Sequence, residues 1–208
     1  GSTLLLLFGV ALAIAVWIVV RALDWIRVLE GELRYLSNDA KVDPLTGTMC
    51  RAAISSDIQL RLSNLSDDVV LGVLFCDLDR LKVVNDSFGH DAGDEVLRVA
   101  ADRLKRLLRA DDSIGRFGGD KFVIATSGMR TPRDLELLAD RLVGTLAQPT
   151  ALADTSTQIV SGSVGIAWTS GSDADIRRRP ADEVASELLR DADSAMQLAK
   201  RDGGGRYA

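Results

Sequence analysis

The pattern of apolar and polar positions divides the chain into three stretches. Thr3 to Val20 carries no charge and is almost wholly apolar. As a helix it would span about 27 Å, close to the ~30 Å hydrocarbon core of a bilayer. Trp17 lies near its end, and Arg21, Arg27 and Arg34 follow. Basic residues on that side orient the rest of the chain toward the cytoplasm. Residues 3–20 therefore predict a membrane span, with a buried helix of a soluble sensor domain as the alternative. A signal peptide fits poorly, because there is no basic flank before the run and no small-residue cleavage site. Ala22, Ile26, Leu29, Leu33, Leu36 and Ala40 then recur at alternating spacings of four and three, the a/d seam of a coiled coil. Residues 21–42 are expected to form a parallel two-stranded stalk, and hence a homodimer. An amphipathic helix lying on its own domain is the competing reading. Asp43-Pro44 ends the helix, since the residue before proline avoids the α region.

From Leu45 onward helical and extended patterns alternate. Met49 to Leu65 reads as a helix, and Val69 to Asp77 as a buried strand ending in an acid. Ala92 to Leu108 reads as a helix with Val96, Leu97, Ala100, Leu104 and Leu107 on one face. Ile114 to Phe117 and Phe122 to Thr126 are short strands around Gly118-Gly119-Asp120-Lys121, a hairpin by its glycines. Pro132 opens a helix that runs to Leu146. Ile159 to Trp168 alternates as a strand, with Val160, Val164, Ile166 and Trp168 on one side, and Glu183 to Lys200 is a closing helix. This order predicts an α/β sandwich with helices packed on a mostly antiparallel sheet, occupying residues 43–208.

Composition narrows the chemistry. Of the 208 residues, Lys and Arg total 25 and Asp and Glu 30, for a net charge of -5. An acidic chain lacks the basic face of a nucleic-acid binder, and 5% aromatic residues leave no base-stacking platform. Two cysteines exclude a four-cysteine zinc site, and one histidine excludes a multi-histidine metal centre.

Carboxylates are the remaining candidates. Asp77 ends the first strand and Asp79 follows two residues on, placing both on one side of the sheet edge if the strand continues. Asp120 sits at the hairpin tip. Such a group suits Mg2+, a hard ion that takes a few carboxylates plus phosphate oxygens, and the adjoining glycines let backbone approach a phosphate. Taken singly, Asp-Leu-Asp is equally a turn and Gly-Gly-Asp equally a plain hairpin.

Five stretches in order carry more. They are Asp43-Pro-Leu-Thr-Gly47, Phe75-Cys-Asp-Leu-Asp-Arg-Leu-Lys-Val-Val-Asn-Asp86, Phe88-Gly-His-Asp-Ala-Gly-Asp94, Arg116-Phe-Gly-Gly-Asp-Lys-Phe122 and Ala192-Asp-Ser-Ala-Met-Gln-Leu-Ala-Lys200. Together they resemble the GGDEF family, the diguanylate cyclase domain, from about Val42 to Tyr207. The resemblance implies a nucleotidyl-cyclase-like fold. It also implies the joining of two GTP molecules, with Mg2+ or Mn2+, into cyclic di-GMP and pyrophosphate across a dimer. On the matching positions Asp77 and Asp120 would hold the metal with the Leu78 carbonyl. Asn85 and Asp94 would read guanine, and Lys82 and Lys200 would contact the triphosphate. A span in such a bacterial protein would lie in the inner membrane.

The signature departs from the family in its fourth place, where Lys121 stands instead of the Glu of active members. In the family that Glu helps hold the metal and is assigned a part in deprotonating the attacking hydroxyl. A protonated Lys cannot ligate Mg2+ and repels it. The expectation is a catalytically impaired domain that still binds GTP or cyclic di-GMP. The alternatives are a working cyclase in which Asp79 or water substitutes, or a dimerisation module without nucleotide. After Lys200 the chain reads Gly203-Gly204-Gly205-Arg206 where the family often has Gly-Arg-Asn, so the resemblance does not carry a second phosphate contact to this position. Arg109-Ala-Asp-Asp112 matches the Arg-x-x-Asp of the family's inhibitory cyclic di-GMP site, with Arg141 as a supporting arginine. A charged helix end followed by a turn is the plainer reading of the same residues. The C-terminal residues resemble the point at which many relatives continue into a phosphodiesterase EAL domain, a further candidate partner.

Overall fold

The computed structural model describes Trp17, Arg21 and residues 41–152 and 157–208. The chain forms two compact units, Gly1–Lys41 and Val42–Ala208. The expected span over 3–20 and stalk over 21–42 lie outside the described residues except at Trp17, Arg21, Lys41 and Val42. Among the described residues no helix is long and apolar enough to cross a membrane.

Within Val42–Ala208 the elements are α1 (Arg51–Ser63), β1 (Val70–Leu78), α2 (Leu81–Phe88), α3 (His90–Leu107), β2 (Ser113–Gly118), β3 (Lys121–Met129), α4 (Pro132–Leu146), β4 (Thr150–Ala151), β5 (Thr157–Gln158), β6 (Gly162–Ser170) and α5 (Ala181–Arg201). The main sheet runs β2-β3-β1-β6 with every neighbouring pair antiparallel, and β4-β5 form a separate small ribbon. The architecture is the expected α/β sandwich.

All nine residues of β1 are buried, because the strand is central and covered by helices on both faces. Alternation assigns its side chains to two cores. Leu74, Cys76 and Leu78 join Phe122, Ile124 and Val164 beneath α3 and α4, while Leu71, Val73 and Phe75 join Val123, Ala167 and the inner faces of α1 and α5. Burial raises the Cys76 thiol pKa to about 12, with the neighbouring Asp77 charge adding to the effect, so this cysteine is an inert core residue. The outer side of β6 is capped by the C-terminal residues: Val164 N–H donates to the Arg206 carbonyl at 2.9 Å and Ala208 N–H to the Val164 carbonyl at 3.0 Å. The sheet edge is thus paired rather than open.

Several elements differ from those the pattern predicts, the β4–β5 ribbon among them. The eight-residue helix α2 lay unread, since a helix that short turns only Leu81 and Val84 inward. Helix α3 begins at His90 rather than Ala92, directly after Gly89, whose φ of 86° breaks the chain between the two helices. Strand β6 begins at Gly162 rather than Ile159, and Trp168 is 48% exposed although it shares a face with the buried Val164. The stripe runs out from under the helices before the strand ends.

Candidate nucleotide and metal site

The C-terminal end of β1, the β2–β3 tip and the last turns of α5 converge at one edge of the sheet. The tip needs its glycines: Gly118 has φ 145° and Gly119 φ 55°, conformations that side-chain-bearing residues rarely adopt. Two clamps hold it. Leu78 N–H donates to the Asp120 carbonyl at 3.1 Å, tying the tip to the end of β1. Arg116 donates to the Gly119 carbonyl from Nε at 3.0 Å and from Nη2 at 2.8 Å, and its Nη1 lies 3.5 Å from Asp43. Asp43 in turn accepts from Thr46 N–H and Oγ1. Arg116 therefore joins the Asp43–Gly47 turn to the signature hairpin.

Asp77 is 3% exposed. Its Oδ1 has the Lys200 ammonium 2.6 Å away but receives no well-directed hydrogen bond. Burial raises the Asp77 pKa; the Lys200 ammonium pulls it back, the Asp120 carboxylate pushes it up again, and the net is upward. A buried carboxylate paired with an ammonium and within electrostatic reach of a second carboxylate suits a hard divalent cation, provided the ammonium gives way to it. Among the described residues no three His, Cys, Asp or Glu side chains group as a metal cage. Two carboxylates would leave the other positions to phosphate oxygens and water, the common arrangement for Mg2+.

Lys121 lies directly across from Asp77 in the β1–β3 register. Its ammonium, however, is drawn to Asp193 on α5, 3.2 Å away, and lies 5.5 Å from the Phe75 ring centroid. Asp79 is also committed. Its Oδ2 accepts from Ser161 Oγ at 2.8 Å and Gly205 N–H at 2.9 Å, and its Oδ1 from Ser163 Oγ at 2.8 Å. Three donors fasten this carboxylate to the β6 side and the C-terminal turn, so both its oxygens are already engaged.

An open cleft of about 580 Å³ adjoins this edge, lined among others by Arg80, Val83, Ser161, Lys200 and Gly204. Asn85 of α2 lies against Gly93 of α3, immediately before Asp94. A Cβ at Gly93 would come within 1.8 Å of Asn85 Oδ1, so only glycine leaves room for this side chain. Lys82 stands on the exposed side of α2. The structure thus gathers Asp77, Leu78, Asp120, Lys121 and Lys200 at the sheet edge, and sets Asn85 beside the Gly93–Asp94 step.

Arg109, Asp112 and Arg141 line a separate pocket of about 180 Å³ with Leu107, Met129 and Leu137. Asp112 Oδ2 accepts from Arg109 N–H at 2.9 Å, while its Oδ1 is buried and without a hydrogen-bond partner. Three residues went unassigned in the sequence reading although they lie inside the quoted stretches: Asp43, Arg116 and Asp193. Nothing in their spacing marks them, because each acts through a partner distant in the chain.

A sequence model of the family described as "Diguanylate cyclase, GGDEF domain" matches residues 40–206. The chain is 36% identical over 183 residues to the diguanylate cyclase TpbB of Pseudomonas aeruginosa, covering 88% of this chain and 40% of that protein. It thus spans well under half the length of that relative. The solved GGDEF domain of TpbB from P. aeruginosa superposes with a TM-score of 0.71 at 35% identity, over 79% of this chain and 91% of that one. A microbial GGDEF domain studied for its interaction with cyclic di-GMP superposes with a TM-score of 0.64 at 29% identity, over 82% of this chain and 97% of its own. The chain belongs to the GGDEF family of diguanylate cyclase domains.

Proposed function

We propose that this GGDEF domain of cyclic di-GMP metabolism acts as a nucleotide-binding regulatory module with impaired cyclase chemistry. It sits on a dimeric stalk behind an inner-membrane anchor. GTP with Mg2+ or Mn2+ binds at the sheet edge, and cyclic di-GMP binds at the Arg109 pocket. The observation that carries this reading is a lysine in the fourth place of the signature tetrad, across the β1–β3 register from Asp77. A divalent cation there would offset charge on the triphosphate and polarise the α-phosphate. Asp77 and Asp120 would hold it, with the Leu78 carbonyl alongside. Lys200 would exchange Asp77 for a phosphate oxygen, and Lys82 would approach the same group from α2. Asn85 and Asp94, both half-buried, would recognise the guanine edge by hydrogen bonds.

The rival reading of a working cyclase needs Asp79 to replace the missing Glu, and the three donors on Asp79 speak against it. The rival of a dimerisation module without ligands leaves the buried Asp112 Oδ1 without a hydrogen-bond partner. A relative named as a bifunctional diguanylate cyclase and cyclic di-GMP phosphodiesterase makes a phosphodiesterase domain of the EAL kind the candidate to receive the signal.

Calorimetric titration with 3′-deoxy-GTP, which cannot cyclise, and Mg2+ tests the nucleotide reading. Saturable binding is expected. Gly93→Ala is expected to keep the fold, because the clash falls on the end of a side chain, but to displace Asn85 and weaken binding about tenfold. Absence of binding by the unaltered protein, or equal affinity in the Gly93→Ala protein, contradicts the assignment.

A further inference from the structure

Asp193 has no part in the assignments above, yet it decides where the Lys121 charge goes. Residues directly opposite on antiparallel strands have Cβ atoms about 4.5–5.5 Å apart. Asp77 and Lys121 are such a pair. From this register alone the Lys121 ammonium would be expected beside the Asp77 carboxylate. The structure shows otherwise. Lys121 Nζ is bonded to Asp193 Oδ1 at 3.2 Å and rests over the Phe75 ring. It reaches into a second hollow of about 560 Å³ between α1, α5 and the hairpin.

We propose that Asp193 is a positioning residue that draws Lys121 off Asp77, so that the metal-nucleotide position stays open to a divalent cation despite the Lys in the tetrad. The groups facing Lys121 are consistent with this division. Asp77 already has Lys200 in contact as a counter-charge and feels Lys121 only through space, whereas Asp193 is paired only with Lys121 among the described ion pairs. Phe75 adds a cation–π contact on the Asp193 side. The same arrangement places a positive charge next to the site without placing it in the site. This explains how nucleotide binding and loss of chemistry coexist. The inference rests on the reading of Asp77 and Asp120 as metal holders.

Two measurements on the full chain test it. The first is NMR of the metal-free protein, in which Lys121 Hε protons should show contacts to the Phe75 ring. These should be lost in Asp193→Asn. The second is Mn2+ binding in the presence of GTP, read by electron paramagnetic resonance. Asp193→Asn should weaken Mn2+ binding about tenfold, because a released ammonium competes for Asp77. The same change made in a Lys121→Met background should have no effect beyond about twofold, since there is no ammonium to release. Weakening of equal size in both backgrounds would show a merely structural role for Asp193 and overturn the proposal. So would unchanged Mn2+ binding in the single variant, or Phe75 contacts that persist without the Asp193 carboxylate. If the contacts respond as expected but no protein binds Mn2+ and GTP, the nucleotide reading falls, while the steering of Lys121 by Asp193 stands.

Discussion

Lys121→Glu is expected to raise cyclic di-GMP synthesis from GTP and Mg2+ at least about a hundredfold over the unaltered protein. The substitution removes a positive charge and supplies a carboxylate directly across from Asp77. At an effective dielectric of ~20, one unit charge at ~4 Å from another is worth roughly 4 kcal/mol before relaxation. A hundredfold rate change needs only about 2.7 kcal/mol of transition-state stabilisation, so the charge change is large enough even after solvent response removes part of it. The rest of the edge is in place to receive the ion: Asp77 is buried and held by Lys200, which can pass to a phosphate, and the tip is clamped by Leu78 and Arg116. The new carboxylate would also face Asp193, so the variant should gain stability from Mg2+ where the unaltered protein gains less. Initial-rate measurement of both proteins by chromatography of the product checks this. Comparable rates would mean that Lys121 is not what limits the chemistry.

Arg109→Ala is expected to lower cyclic di-GMP affinity ten- to a hundredfold, independently of the state of the tetrad. The Arg109 pocket is built on the α3–β2 junction and on α4, apart from the strand end and hairpin tip that form the sheet edge. At about 180 Å³ it is smaller than a pocket for a whole dinucleotide. It would seat a guanine or phosphate while the rest of the ligand lies outside, which makes individual charged bonds count. Each such bond contributes about 1.5–3 kcal/mol, or roughly one to two decades of affinity. Asp112 Oδ1, buried and unpartnered, would be an acceptor for a guanine N–H once the pocket opens to it. Titration of the unaltered and Arg109→Ala proteins with cyclic di-GMP decides the point. Equal binding would return these residues to a charged helix end, with Asp112 serving only to hold the Arg109 backbone at 2.9 Å.

The long elements were legible because their periodicities are strong. The inward stripe Leu135, Leu138, Leu142 and Leu146 marks α4, and the unbroken apolar run of β1 marks a strand buried on both faces. Helix α2 and the β4–β5 ribbon were illegible because two inward residues, or two-residue strands, carry no period. The candidate residues were legible as a set through their motifs, yet their partnerships were not. Lys121 and Asp193 meet across 72 positions, and Asp79 acquires three donors from β6 and the C-terminal turn. Sequence showed a lysine where a carboxylate belongs. Only the fold shows that its charge is parked on α5, and that the obvious substitute carboxylate is already occupied.

The most direct test of the central claim, that the sheet edge holds nucleotide without converting it, is the fate of GTP bound to the unaltered protein. Protein in excess over labelled GTP and Mg2+ is incubated, and the retained nucleotide is released and separated. The account predicts that GTP is retained and recovered intact. Recovery of the label as cyclic di-GMP at a rate matching Lys121→Glu, or no retained nucleotide at all, would contradict it.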